Sequence, residues 1–343
     1  MSIPARPSFD TLPIVDVSPL FGADPAGVAA VVALLRRAAS EVGFLYVTNH
    51  GIPEQLLLEL ERAAQMFFSL PFATKQKYYI GRSKNHRGYV PPGEEAFYGQ
   101  TRDTKEAYDL SRELPDGDYG AASRLLGPNV WPHEVPEFRS VVNAYYERVF
   151  ALGQTLLSAF ARALDLPAAY FDGHLQQPPS QLRLIHYAPT PPGEGRMGIG
   201  AHTDYECLTI LHATTPGLEV MNGAGQWVSA PPIPGAFVVN IGDLLEVWSN
   251  GVFVSTSHRV VPVAEERYSF PLFFTVDYET RVEPLPHLAR DGTHYEPLVS
   301  GEHLLAQTMQ SFQYLIDLRE RGLLSLPAGA RELSSFGRAK RAP

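Results

Sequence analysis

Two rhythms of apolar and polar residues run along this chain. In the first half the spacing is helical: Val28, Val31, Val32, Leu35 and Ala39 recur at intervals of three and four, which predicts a helix from Pro25 to Val42. Gly43 ends it. A second helix is expected over P-E-Q-L-L-L-E-L-E-R-A-A-Q-M-F-F, with Pro53 in its first turn, where a missing N–H costs nothing. Short strands, L-P-I-V-D-V and F-L-Y-V-T-N-H-G, precede these helices. From Val135 to Leu164 one long helix, interrupted only by Gly153, lines up Phe138, Val142, Tyr145, Tyr146, Val149, Leu152, Leu156 and Phe160 on an inner stripe. Between Lys75 and Pro132 the pattern dissolves into stretches rich in Gly, Pro and charge, such as H-R-G-Y-V-P-P-G-E-E and D-T-K-E-A-Y-D-L. These read as loops, and loops this long inside a globular chain often carry function. Beyond Leu175 come short strand-like runs separated by Pro and Gly: Q-L-R-L-I-H-Y, C-L-T-I-L-H, G-L-E-V, Q-W-V-S, A-F-V-V-N-I and S-F-P-L-F-F-T-V. That spacing argues for a β-sandwich or barrel.

Composition narrows the function classes. The 343 residues are 45% hydrophobic and 19% charged, enough to bury a sizeable core. With 28 basic and 37 acidic side chains the formal charge is −9, and no stretch is densely basic. Nucleic acid and anionic membranes are therefore poor partners, and a small-molecule substrate is favoured. A single cysteine, Cys207, excludes an internal disulfide framework and a cysteine-based zinc site. No apolar run approaches the roughly 18 residues of a membrane span, and the first residues lack the pattern of a signal peptide. A cytoplasmic protein is expected.

Candidate chemistry concentrates in I-G-A-H-T-D-Y-E-C-L-T-I-L-H. His202 and Asp204 stand two apart just before an apolar, β-branched run, and on a strand residues i and i+2 face the same way. Further on, in T-S-H-R-V-V, His258 opens another strand-like run and offers a third ligand. Two neutral imidazoles and one carboxylate on one face of an octahedral ion leave the opposite face open, as in non-haem Fe(II) oxygenases. Arg267 and Ser269, in R-Y-S ahead of F-P-L-F-F-T-V, again share a face. A guanidinium fork beside a hydroxyl suits a carboxylate. Other candidates read as structural. His50 reads as a turn residue beside Gly51, Asp243 as a turn residue, and Cys207 as a small core residue. His212, beyond His202 on what reads as the same strand, is too distant for a ligand and takes a bridging or core role.

The series H-T-D, H-R-V-V and R-Y-S resembles the isopenicillin N synthase-like family of Fe(II)/2-oxoglutarate-dependent oxygenases, and G-F-L-Y-V-T-N-H-G-I-P resembles the amino-terminal region of the same family. The resemblance runs from about Leu12 to about Leu324. It implies a mainly β fold with flanking α, a double-stranded β-helix or jelly roll with a helical amino-terminal region and a carboxy-terminal helix. The expected divisions are an amino-terminal dioxygenase region (8–132), a long supporting helix (133–175), the jelly-roll core (176–285), and a carboxy-terminal helical segment and tail (286–343). The implied metal ligands are His202, Asp204 and His258 for Fe(II). Arg267 and Ser269, assisted by Tyr187, would hold the far carboxylate of 2-oxoglutarate, with O2 taking the last iron position. His186, in L-I-H-Y-A-P, lies where plant-type members carry an N-x-Y-P-like motif; matching Tyr187 to that tyrosine puts Ile185 at the family's asparagine, a departure that removes an amide contact.

The implied activity is oxidation of a small molecule by hydroxylation, desaturation or cyclisation, with release of succinate and CO2. Two alternatives stay open on R-x-S alone. One is a 2-oxoglutarate-independent oxidase of the isopenicillin N synthase type, in which the pair grips the substrate's own carboxylate. The other is a metal-binding jelly-roll sensor without catalysis. Arg87, before a Gly-Tyr pair in N-H-R-G-Y-V-P-P-G, resembles an arginine with which isopenicillin N synthase grips a remote substrate carboxylate. With Tyr89 it forms a candidate substrate contact, and Phe97, Tyr98, Tyr108 and Phe273 are candidate apolar walls.

Overall fold

The computed structural model describes residues 7–96, 102–189, 197–289, 292 and 295–328. Strand β1 (Ile14–Asp16) leads into helix α1 (Pro25–Glu41), and β2 (Phe44–Thr48) into α2 (Glu54–Phe68). Asp24 caps α1 by accepting the N–H groups of Ala26 and Gly27, while Pro25 starts it. Gly43 then turns the chain at φ +74°, where an added Cβ would sit 2.2 Å from the Val254 carbonyl oxygen. Only glycine meets both demands. Pro53 is the N-cap of α2, one residue ahead of the first turn.

A short α3 (Phe72–Lys75) is followed by β3 (Gly88–Val90), β4 (Glu106–Ser111) and the long α4 (Phe138–Ala163). The remaining chain supplies β5 (Gln181–Tyr187), β6 (Ile199–His202), β7 (Leu208–Ala213), β8 (Leu218–Met221), β9 (Trp227–Ser229), β10 (Ala236–Ile241), α5 (Asp243–Trp248), β11 (His258–Val260), β12 (Arg267–Phe274), β13 (Arg281–Val282), β14 (Leu298–Val299), α6 (Ser300–Ser311) and α7 (Gln313–Glu320). Eight strands form a large sheet in the order β1-β2-β10-β7-β12-β5-β4-β3, and four form a smaller one in the order β6-β11-β8-β9. These are the two layers of a jelly roll. Strands β1 to β4, from the amino-terminal region, complete the large sheet at both ends. Helix α4 packs on this sheet without a break at Gly153: a Cβ there would lie 2.4 Å from Phe274 Cδ2, so the glycine marks close approach rather than interruption.

One expectation fails in an informative way. D-T-K-E-A-Y-D-L, which reads as loop, contains β4, and every residue of that strand is buried. Its charges point inward to partners. Asp109 lies directly across from Arg183 of β5 and accepts its Nε and Nη2 at 2.7 and 2.6 Å. Glu95 accepts Arg183 Nη1 at 3.0 Å and pairs with Lys105, which also reaches Asp103 at 3.1 Å. A charge-rich strand can be interior only when each charge meets a hydrogen-bonded counter-charge, and those partners come from distant segments.

The carboxy-terminal helices close over one end of the roll. Between α6 and α7 Phe312 is extended, pairs with Glu95 as an isolated antiparallel bridge, and brings the Ser311 carbonyl to the Ala96 N–H at 3.1 Å. No helix among the described residues is long and apolar enough to cross a membrane.

Candidate active site

The cavity between the two sheets is lined by both layers, and its volume is about 100 Å³. Strands β6 and β11 run antiparallel with His202 and His258 as direct partners, which sets their rings 4.3 Å apart. Asp204 is not on the same strand as His202. β6 ends at His202, and Asp204 sits in the connection that carries the chain across to β7 in the other sheet. The three side chains nonetheless converge: one ligand atom from each lies within 4.8 Å of the others, and all three residues are buried. Asp204 Oδ1 is 3.6 Å from His202 Nε2 and 3.5 Å from His258 Nε2.

Hydrogen bonds fix which atoms face inward. His202 Nδ1 is 2.8 Å from the Gly200 carbonyl oxygen, and His258 Nδ1 is 3.2 Å from that of Thr256. A carbonyl only accepts, so each Nδ1 carries the proton and each Nε2 offers its lone pair to the centre. Asp204 Oδ2 accepts the Thr209 hydroxyl and, at 2.7 Å, the Asn240 amide, which leaves Oδ1 for a metal. The His202 pKa is pushed down to about 4, by burial first and by His258 beside it, so this imidazole is neutral at ordinary pH. Burial alone would raise the Asp204 carboxyl; the two imidazoles and the Thr209 and Asn240 bonds outweigh it and hold the group below its usual range. This is a preformed set of two imidazole nitrogens and one carboxylate oxygen. Nearby, burial and the Asp204 charge push Glu206 up to about 8, leaving it protonated at neutral pH.

At the other end of the cavity Arg267 is almost wholly buried. Its Nε donates to the Thr215 carbonyl at 3.1 Å, and its guanidinium stacks 4.6 Å from the centre of the Tyr187 ring, the residue directly opposite on β5. Nη1 is buried and has no partner. A bare cationic N–H in a buried pocket is complementary to a carboxylate, and Ser269, two residues on and on the same face, also lines the cavity. Ile185 faces Ser269 across the strand pair, so Ser269 has an aliphatic neighbour there.

The candidate substrate contacts divide. Phe273 lines the cavity. Arg87 does not reach it: the residue is only 2% exposed, and its guanidinium donates to the carbonyls of Asn85, His86 and Leu125. It braces its own loop. The Tyr89 hydroxyl donates to Glu106, and the Tyr108 hydroxyl to the Val130 carbonyl, while both rings pack against Phe67 in the core. Phe97 and Tyr98 lie outside the described residues. His212 is on β7, not the strand of His202, and bonds Glu61 at 3.1 Å. His186 sits between Glu106 and Glu266. Asp243 is more than a turn residue, since its carboxylate accepts Ser255 and meets His303 in the interior. The sequence reading passed over Thr209, Asn240, Gln181, Arg183 and Glu95. The first two carry a local signal, polar residues inside the apolar runs C-L-T-I-L-H and A-F-V-V-N-I.

A jelly-roll cavity lined by two carbonyl-oriented imidazoles, one carboxylate and a buried arginine N–H without a partner has the donor set of a non-haem oxygenase. Residues 12–134 match the family described as non-haem dioxygenase in morphine synthesis N-terminal, and residues 178–276 match the 2OG-Fe(II) oxygenase superfamily. A homoarginine-6-hydroxylase of Glycine max is 35% identical over 325 residues, covering 89% of this chain and 98% of that protein. One from Oryza sativa subsp. japonica is 36% identical over 324 residues, again 89% and 98%. The crystal structure of a full-length Neurospora crassa protein in complex with alpha-KG superposes with a TM-score of 0.77 at 28% identity, covering 90% of this chain and all of that one. The chain belongs to the isopenicillin N synthase-like 2-oxoglutarate/Fe(II) oxygenases. It is accordingly a non-haem dioxygenase using Fe(II), 2-oxoglutarate and O2, not an oxidase that dispenses with 2-oxoglutarate. The donor set and the unpartnered Arg267 N–H fit those groups.

Proposed function

We propose that His202, Asp204 and His258 hold Fe(II), and that Arg267 with Ser269 and Tyr187 holds the distal carboxylate of 2-oxoglutarate. A small-molecule substrate is hydroxylated in the remaining cavity. The observation that carries this assignment is the pairing, in one cavity, of three convergent ligand atoms with a buried arginine N–H that has no protein partner. Bound iron and 2-oxoglutarate supply O2 activation coupled to decarboxylation. The chain's own part is geometric: Gly200 and Thr256 aim the imidazoles, Thr209 and Asn240 aim the carboxylate, and the apolar walls exclude water. The relatives named for homoarginine hydroxylation and the Neurospora crassa structure with thymine support a small polar metabolite as substrate. The lone cysteine, buried as Cys207, supports a reducing, cytoplasmic setting. The test is anaerobic: Fe(II) followed by 2-oxoglutarate is expected to produce a metal-to-ligand charge-transfer band. Its absence at saturating 2-oxoglutarate would refute the assignment.

A further inference from the structure

The wall of the cavity formed by β5, β12 and β7 is organised in rows, because directly opposed residues on antiparallel strands share a face. Tyr187 and Arg267 make the row at one end. At the other, Gln181, Phe273 and Thr209 oppose one another, and Asn240 of β10 extends the row. Thr209 and Asn240 are the residues that hold Asp204, so Gln181 shares its row with the supports of that carboxylate. At the usual rise it lies roughly 20 Å along the wall from Arg267, and at the usual strand spacing roughly 10 Å to the side of Thr209. The clamp for 2-oxoglutarate is at the far end. Gln181 therefore belongs to the space left for the other substrate.

Its side chain lines the cavity, yet Nε2 is buried and has no hydrogen-bond partner. A buried amide donor left bare is costly, and a native protein keeps one where something else supplies the acceptor. The neighbouring charges are already committed. Arg183 is taken up by Asp109 and Glu95, and Glu95 by Arg183 and Lys105. Beside Gln181, Phe273 offers an aromatic surface.

We propose that Gln181 selects the substrate: Nε2 donates to a carbonyl or carboxylate oxygen of a small molecule whose hydrocarbon part lies against Phe273. This rests on the iron and 2-oxoglutarate assignment above, which decides which end of the cavity the substrate takes.

The experiment uses the full chain loaded with Fe(II), comparing wild type with Gln181→Met and Gln181→Glu. Both variants keep the side chain's length and remove the donor. Probes are homoarginine and thymine, homoarginine amide as a neutral carbonyl, and decarboxylated homoarginine, which has no oxygen. Succinate release stimulated by each probe gives KM and kcat. Stimulation by at least one oxygen-bearing probe and none by the oxygen-free amine is expected; the amide arm separates carbonyl from carboxylate recognition. In Gln181→Met the probe KM should rise roughly 10- to 100-fold, the loss from leaving a buried acceptor unpaired, with kcat and the 2-oxoglutarate KM unchanged. The melting temperature of the substrate-free variant should hold or rise, because a bare donor has been removed; a residue that only braces the fold would lower it. No stimulation by any oxygen-bearing probe, equal use of the amine, or an unchanged probe KM overturns the assignment of Gln181. A wild type without the 2-oxoglutarate absorption band overturns the underlying iron and 2-oxoglutarate reading as well, so the two failures are told apart.

Discussion

Replacing Arg267 by alanine tests the co-substrate end most directly. The guanidinium is buried, donates one bond to a backbone carbonyl and keeps Nη1 bare, so a carboxylate docked there would form a desolvated ion pair. Removing one partner of such a pair costs about 3–5 kcal/mol, which corresponds to a loss in 2-oxoglutarate affinity of roughly 150- to 5,000-fold. Ser269→Ala removes one ordinary hydrogen bond, worth about 0.5–1.5 kcal/mol, and should cost roughly 2- to 13-fold. Anaerobic titration of the Fe(II) protein, followed through the charge-transfer band, measures both. A second readout comes from linkage: 2-oxoglutarate at 100 times its Kd should stabilise the wild type by about 2.7 kcal/mol, and the same concentration should stabilise Arg267→Ala by no more than about 0.3 kcal/mol. Iron affinity should not change, because Arg267 is not one of the three converging ligands and its hydrogen bond goes to the Thr215 carbonyl, not to any of them. An Arg267→Ala protein that binds 2-oxoglutarate as tightly as wild type would refute the clamp. Joint loss of iron and 2-oxoglutarate would refute the spatial separation on which the argument depends.

Alanine at His202, Asp204 or His258 should abolish stoichiometric Fe(II) binding in equilibrium dialysis while circular dichroism stays native, since the core is built without them; full iron occupancy in any one variant removes that residue from the set. Asn240→Leu takes one of two donors from Asp204 Oδ2 and should weaken Fe(II) binding by roughly 10- to 100-fold, measured by competition with a chelator; unchanged affinity would mean that Thr209 alone orients the carboxylate. His86 gives a pH prediction. Its pKa is pushed down to about 3 by burial, then by Arg183 and Arg87, from an ordinary value of 6.5. The unfolded chain takes up this proton near 6.5 and the folded one only near 3, so the stability held above 6.5 is lost as pH falls through that window. Urea midpoints between those limits should fall less steeply in His86→Asn than in wild type; parallel curves would argue against a neutral, buried His86.

How much of this was legible in the sequence depends on the range of the interactions. The helices at Val28–Ala39 and Phe138–Phe160 follow a local period, and R-Y-S declares its shared face within three residues. The triad was readable as a set, although the strand geometry assumed for Asp204 was not; a sheet change between His202 and Leu208 leaves no mark in the alternation of residues. Strand β4 and Arg87 misled for the opposite reason. Charge reads as solvent when its partners are out of sight, and the partners of Asp109 and Arg87 include Arg183 and the Leu125 carbonyl, far along the chain. Gln181 carries no local signal at all: what distinguishes it is a partner that is missing, visible only once every neighbour has been placed.

The ion network around β4 and β5 bears on how such a protein can diversify. Changing Glu95, Lys105, Asp109 or Arg183 singly strands a counter-charge away from water, at about 3–5 kcal/mol, a large share of the about 5–15 kcal/mol that holds a typical domain together. Those positions can change only in concert. Gln181, Phe273 and Thr308 line the same cavity without an ionic partner, so single replacements there alter its shape and polarity while leaving the fold standing. Descendants of this chain that acquire new substrates should therefore differ first at these neutral positions, against a charged background that scarcely drifts.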